Sequence, residues 1–206
     1  MAKLYLGLGS NLGDRAHYLD KAIAEIQSCI GPVIERSEYY ASEPWGYQSS
    51  NTFLNACICV ETTLHWRKCL ELAQEIEQRL GRTISSRTSG KTKLAGQTQD
   101  QGQTEGKEQT EVKRPAEYKA KAKAKAKAKD KDKDKDKDKR AAYQDREIDI
   151  DLLLYDQLVL NEPDLVLPHP LMHKRKFVLL PLSRIAPDLQ HPVLERSVQE
   201  LLSDLD

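Results

Sequence analysis

The run QDREIDIDLLLYD, residues 144–156, decides how the rest of the chain is read. Ile148, Ile150 and Leu152 alternate with Glu147, Asp149 and Asp151, and the sequence then turns wholly apolar. A period of two is that of a β-strand, whose successive side chains point to opposite faces. One face is written for burial. The other carries three carboxylates spaced about 7 Å apart along the strand. Two explanations compete for that stripe. It is the solvated face of a one-sided strand, although like charges side by side repel and Arg146 is the only nearby cation. Or it is a magnesium site, since Mg²⁺ is commonly held by one or two carboxylates together with substrate phosphates. The stripe alone leaves both open.

Upstream, KLYLGLGSN has strand character and ends in a Gly/Ser/Asn turn; Asp14 is placed to cap a helix carrying Leu19, Ile23, Ile26 and Ile30 at helical spacing. Gly31 and Pro32 stop it. VIERSEYYASEPWG reads as extended, with a break at Pro44, Trp45 and Gly46. TFLNACICVETTL puts Phe53, Asn55, Cys57 and Cys59 on one strand face and Leu54, Ala56, Ile58 and Val60 on the other. HWRKCLELAQEIEQRLGR makes a second amphipathic helix with Leu70, Ala73, Ile76 and Leu80 in one stripe and Gly81 at its end. With 144–156 as the closing strand the order is β-α-β-β-α-β. LMHKRKFVLLPLSRIAP then reads as a helix kinked or bounded at Pro181, and SVQELLSDL as a short last helix. This is an α+β pattern, a ferredoxin-like βαββαβ core with its helices on one face of an antiparallel sheet, plus C-terminal helices. Such a fold hosts many functions and selects none.

Residues 88–142 stand apart. They are nearly free of large apolar side chains and end in KAKAKAKAKDKDKDKDKDK, a composition that cannot bury enough surface to offset the entropy of ordering it. Without them about 150 residues remain, the size of one domain, so residues 1–206 are read as a single domain with a long low-complexity insertion. The zero net charge hides the same division. The insertion holds 17 Lys and Arg against 10 Asp and Glu, which leaves 15 against 22 elsewhere. An acidic folded part does not advertise a nucleic-acid surface. Cys29, Cys57, Cys59 and Cys69 form no C-x-x-C pair and read as buried free thiols. No apolar run reaches the length of a membrane span or signal peptide, so a cytoplasmic protein is expected.

LPHPLMHKRKF adds His169, His173, Lys174, Arg175 and Lys176, and Arg82 and Arg146 supply two more guanidiniums. An acidic stripe beside a basic segment suits a polyphosphate, although His-Lys-Arg-Lys is also an ordinary solvated face. No Gly-x-x-x-x-Gly-Lys-Ser/Thr loop or dinucleotide fingerprint is present, so a nucleotide would be held by side chains. Phe53 and Phe177, the only phenylalanines, lie near Asn55 and Arg175; they are either core or two aromatic faces around a flat heterocycle with an amide-like edge.

Taken in order, YLGLGSNLGDR, SEPWGYQSSNTFLNA, EIEQRLGR, DREIDIDLLLYD and LPHPLMHKRKFVLLPLSRIAPDL resemble the 6-hydroxymethyl-7,8-dihydropterin pyrophosphokinases of folate biosynthesis. The resemblance spans essentially all of the chain outside residues 88–142. It implies transfer of pyrophosphate from ATP to the hydroxymethyl group of the pterin, with release of AMP. It implies that Asp149 and Asp151 bind two Mg²⁺ ions on the ATP phosphates, with Arg82 and Arg146 catalytic and Glu147 a bystander. Gly9, Ser42, Pro44, Trp45, Phe53, Asn55 and Phe177 match pterin-contacting positions. Gln74, Glu77, Tyr143, Arg146, Leu152, His169 and Arg175 match ATP-contacting ones. The sequence departs from the pattern at Ile84, where a second loop arginine is common, at Tyr143 in place of a tryptophan, and at Pro170 after His169. The insertion falls in the loop that closes over the substrates. The expected partners are therefore small molecules, with no nucleic acid or membrane, acting on a monomer. Two other functions fit the residues: a non-catalytic pterin or nucleotide binder, and a tether to an anionic partner through the Lys-rich tract.

Overall fold

The chain was analysed as a computed structural model that describes residues 1–81 and 145–205. The insertion, Arg82 and Tyr143 lie outside the described residues. Strand β1 is Ala2–Ser10, followed by helix α1 (Arg15–Cys29), the short strands β2 (Val33–Arg36) and β3 (Tyr40–Ser42), β4 (Phe53–Thr62) and helix α2 (Trp66–Arg79). Then come β5 (Asp149–Tyr155), the two-residue strands β6 (Leu160–Asn161) and β7 (Val166–Leu167), a 3₁₀ turn at Met172–Lys174, and helices α3 (Lys176–Ile185) and α4 (Val198–Ser203).

The local signals act where the sequence puts them. Asp14 caps α1 by accepting from the His17 N–H at 3.1 Å. After α1 the chain turns at Gly31, where a Cβ would lie 2.1 Å from the Glu61 carbonyl oxygen, so no other residue fits. Ser197 and Glu200 form a reciprocal capping box that starts α4.

The sheet runs β2–β4–β1–β5, with every pairing antiparallel and β3 continuing beside β4. Strand alternation gives it two apolar faces. On one, Leu4, Leu6, Leu8, Ile58, Val60, Ile150 and Leu152 meet Leu19, Ile23 and Ile26 of α1 and Cys69, Ala73 and Ile76 of α2. On the other, Tyr5, Cys57, Cys59, Leu153 and Leu154 meet Val178, Leu179 and Leu182 of α3 and Val198, Leu201 and Leu202 of α4. The helices are therefore not confined to one face. The C-terminal pair covers the second face at the Tyr5 end of β1. At the other end, the β1 residues on this face are Gly7 and Gly9, and there the surface opens.

Four local expectations change. Strand β5 begins at Asp149, later than the alternating pattern implies, and Glu147 sits in a bend against the end of α2, where a Cβ on Gly81 would be 3.3 Å from its Cγ. The 171–187 segment is broken at Arg175 into a 3₁₀ turn and α3, because Arg175 adopts an extended backbone (φ −115°, ψ 99°). Helix α3 runs through Pro181, whose missing N–H removes one turn's hydrogen bond without ending the helix. Cys29 is exposed, while the other three thiols are buried. No helix among the described residues is long and apolar enough to cross a membrane.

Candidate active site

Strand register assembles the site. Gly9 of β1 lies between Asn55 of β4 and Asp149 of β5, and Gly7 between Cys57 and Asp151. Across three strands the rows therefore read amide, bare backbone, carboxylate, and thiol, bare backbone, carboxylate. Two glycines in the central strand leave a trough where side chains would otherwise stand. It has a volume of about 600 Å³ including its open mouth. Phe53, Asn55, Trp45 and Phe177 wall it on one side; Arg146, Asp149, Asp151 and Arg175 wall it on the other.

The apolar half is oriented by hydrogen bonds at its base. Asn55 is 5% exposed, and its Nδ2 donates to the Tyr40 carbonyl at 3.1 Å and the Ser42 hydroxyl at 3.0 Å. Both amide protons are thereby used, so Oδ1 faces the trough floor, 3.4 Å from where a Gly9 Cβ would stand. The Tyr47 ring meets Phe53 edge-on at 6.4 Å, and Trp45 meets Phe177 at 6.4 Å. Burial and a hydrogen bond to Asp145 push the Tyr47 phenol up to about 12, so it stays protonated. The Arg175 guanidinium lies 4.9 Å from the Trp45 ring centre and 5.6 Å from that of Phe177, joining the aromatic and charged halves.

In the charged half, acids and bases alternate. Arg146 Nη1 donates to Asp149 Oδ1 at 2.9 Å, and Arg175 Nη1 lies 3.6 Å from Asp151 Oδ2. The arginine side chains are the more buried, at 13% and 7% exposure against 23% and 39% for their aspartates. The carboxylates thus stand nearer the solvent, with guanidiniums behind them. This donor set fits Mg²⁺: hard carboxylate oxygens on one strand face, beside space for water and phosphate oxygens. No group of three or more His, Cys, Asp or Glu side chains that could hold a metal occurs among the described residues.

The trough brings together Gly9, Ser42, Trp45, Phe53, Asn55, Phe177, Arg146, Asp149, Asp151 and Arg175, ten of the residues singled out from sequence. Others lie off it. Glu77 is 5% exposed on α2, and its Oε1 accepts from the Ile150 N–H at 2.8 Å, satisfying the outer edge of β5 beside the aspartates. The Leu152 side chain belongs to the opposite core. Gln74 is exposed on α2, and Pro44 stands in the loop outside the trough wall. His169 is half-buried near Arg175 and Asp149; burial, then the Arg175 charge, push it down to about 4, so its imidazole is neutral. Its Nδ1 accepts from the Leu171 N–H at 3.3 Å. Tyr47, Gly7 and Cys57 line the trough without having been anticipated. Gly7 was available from strand alternation two residues before Gly9, whereas nothing local marks Tyr47. Burial pushes the Cys57 thiol well above its ordinary range, so it is a wall and not a nucleophile.

Comparison with known proteins agrees with this chemistry. A sequence model of the 7,8-dihydro-6-hydroxymethylpterin-pyrophosphokinase (HPPK) family matches residues 5–94 and 111–187. A 2-amino-4-hydroxy-6-hydroxymethyldihydropteridine pyrophosphokinase of Porphyromonas gingivalis is 33% identical over 193 residues, 93% of this chain and 95% of that protein. One of Methylorubrum extorquens is 30% identical over 207 aligned positions, covering 100% and 95%. Among solved structures, a Plasmodium falciparum HPPK-DHPS superposes with a TM-score of 0.61 at 12% identity, over 98% of this chain and 44% of that one, a likeness of fold. The match runs through both rows of the trough, from Gly7 and Gly9 to Asp149 and Asp151, and the chain belongs to the 7,8-dihydro-6-hydroxymethylpterin-pyrophosphokinase family.

Proposed function

We propose that the protein transfers pyrophosphate from ATP to the hydroxymethyl group of 6-hydroxymethyl-7,8-dihydropterin and releases AMP, a step of folate biosynthesis. The observation that carries this is the junction within one trough of an aromatic, amide-based pocket and an Asp–Arg ladder. The Asn55 carbonyl would accept an N–H from the pterin edge, with Phe53 and Phe177 against its ring. The pterin hydroxyl would then lie toward the Gly7–Asp151 row. Its oxygen attacks the β-phosphorus, the bond from that phosphorus to the oxygen bridging the α-phosphorus breaks, AMP departs, and the hydroxyl proton is released.

Asp149 and Asp151 would hold the metal, which we read as a pair of Mg²⁺ ions with ATP as co-substrate. When bound, these ions supply charge neutralisation for the triphosphate and acidify the attacking hydroxyl. Arg146 and Arg175 are positioned by their partners before substrate arrives. Fixed guanidiniums stabilise charge on the transferred group without reorganising during the reaction. Tyr143, Gln74, Glu77, Leu152 and His169 remain assigned on resemblance to the nucleotide side, and Arg82, on resemblance, to a catalytic role.

The scaffold is best described as a ferredoxin-like core, supported by the β2–β4–β1–β5 order in which two βαβ units share one antiparallel sheet. We read the chain as one domain with an insertion at about 88–142, which the break between residues 94 and 111 in the family match supports. The exposed large apolar side chains among the described residues, Met1, Ile34 and Trp45, favour a monomer. Free thiols at all four cysteines favour a reducing compartment such as the cytoplasm.

AMP release from ATP, Mg²⁺ and 6-hydroxymethyl-7,8-dihydropterin tests the reaction. AMP should form in step with the pterin diphosphate. ATP consumption that does not depend on the pterin would overturn the proposal.

A further inference from the structure

One carboxylate outside the Asp149–Asp151 pair accepts from four side chains. Asp145 Oδ1 accepts from Asn11 Nδ2 at 2.7 Å and from the Tyr47 hydroxyl at 3.2 Å; Oδ2 accepts from Asn51 Nδ2 at 2.7 Å and the Ser49 hydroxyl at 2.9 Å. These donors come from two segments remote in sequence: the turn after β1 and the loop between β3 and β4. Together they hold the Asp145 carboxyl below the usual carboxylate range against the opposing effect of burial. The Ser49 hydroxyl in turn accepts from the Asn51 N–H at 3.1 Å, so the loop is folded around the carboxylate.

This loop carries the wall of the apolar half. Trp45, which contacts Arg175, lies near its start, and Tyr47, which contacts Phe53, lies in its middle. Its far end is fixed separately, by Arg15 Nη1 donating to the Thr52 carbonyl and hydroxyl, each at 2.7 Å. Between those points the carboxylate of Asp145 binds three loop side chains. The neighbouring Arg146 backbone has a tie that does not pass through the carboxylate: Asn11 N–H donates to the Arg146 carbonyl at 3.1 Å, beside the bond from Arg146 N–H to Asn11 Oδ1 at 2.8 Å. Loss of the Asp145 carboxylate would therefore release the loop while leaving the approach to the Asp–Arg ladder pinned.

We propose that Asp145 is a positioning residue for the heterocycle: its carboxylate preorganises the 43–52 loop so that Tyr47 and Trp45 stand ready as walls of the trough. This rests on the pterin reading of that pocket. Its chemistry is acceptor capacity, four donors converging on two ionised oxygens, which an amide of the same shape cannot supply. A loop left mobile must be ordered when the ligand binds, so the deficit appears in binding and not in the chemical step.

The test uses the full chain and two variants, Asp145→Asn and Asn51→Ala, the second keeping the proposal open to refutation if the first does not fold. The readouts are binding of 6-hydroxymethylpterin by fluorescence titration, without ATP or metal, and steady-state kinetics. Asp145→Asn should weaken pterin binding and raise the pterin KM roughly ten-fold, and Asn51→Ala should do so roughly three-fold. The ATP KM and the kcat at saturating pterin should stay within about two-fold of the parent, since K-type and turnover effects separate when only ordering is lost. The double variant should lose no more than Asp145→Asn alone. Unchanged pterin binding in both variants overturns the proposal. So does an equal fall in kcat and in affinity for both substrates, which marks a merely structural role. Parent protein that binds the pterin without releasing AMP would count against the pyrophosphokinase reading while leaving the loop proposal standing on its binding data.

Discussion

Gly9→Ala separates folding from function at a single atom. Gly9 is an extended residue in the central strand, and a Cβ there would stand 3.4 Å from Asn55 Oδ1 and 3.5 Å from Phe53 Cδ1. Both are ordinary van der Waals distances, so the strand accepts the methyl group. Alanine also narrows the unfolded ensemble relative to glycine, a gain of about 0.4–1 kcal/mol where the native conformation suits it. In a domain of this size that corresponds to a rise in Tm of about 1–4 °C. The same methyl projects onto the trough floor, against the amide oxygen that would receive the heterocycle. Intruding one methyl group into a fitted site costs about 1–3 kcal/mol, hence about 5- to 150-fold in affinity. Thermal unfolding and pterin titration on the same preparation give both numbers. The variant should melt at or slightly above the parent temperature and bind the pterin at least about five-fold more weakly. A variant that binds the pterin as the parent does would refute the placement of the heterocycle over Gly9, and one that melts several degrees lower would refute the register on which the site is built.

Asp149→Asn and Asp151→Asn should each lower kcat by at least about a hundred-fold, whereas Glu147→Gln, off the strand face, should cost less than about three-fold; comparable losses at all three would restore Glu147 to the metal site. His191 is 5% exposed with Nδ1 accepting from the Val193 and Leu194 N–H groups, and burial pushes its imidazole down to about 4. The unfolded chain takes up this proton below about pH 6.5, so the stabilisation present above that pH is lost as the pH falls toward 4, a loss on the order of 3 kcal/mol. Urea midpoints measured across that window should therefore fall, and His191→Asn, which keeps an acceptor but does not titrate, should flatten the slope. Glu77→Ala would leave the Ile150 N–H without its acceptor at a cost of about 1–3 kcal/mol, read as a lower urea midpoint, while Glu77→Gln should recover most of it.

Legibility in the sequence followed the range of the forces involved. Alternation in 53–62 and in the 148–152 segment sorted core face from trough face, because side-chain direction in a strand is set by the backbone of that strand. The cap at Asp14 is a contact within one turn and was equally accessible. Glu147 shows where the period misleads: it keeps the alternating spacing, but the strand has not begun, and its side chain lies against Gly81 at the end of α2. Arg175 reads as part of a continuous helix and instead interrupts it, which is what lets its guanidinium lie between Trp45 and Phe177 and reach Asp151.

The sequence by itself determined the two helices α1 and α2, the core faces of β1, β4 and β5, and the presence of an acidic pair beside basic side chains, because each depends on neighbours within a few residues. Only the tertiary structure decided which groups share the site. Strand register set Asn55 and Asp149 on either side of Gly9, although they are far apart in the chain. The four-donor grip of Asp145 on Asn11, Tyr47, Ser49 and Asn51 likewise has no local signature. Hydrogen bonds between remote segments acquire partners only after the sheet has closed and brought those segments within about 3 Å, so no periodicity in the chain records them.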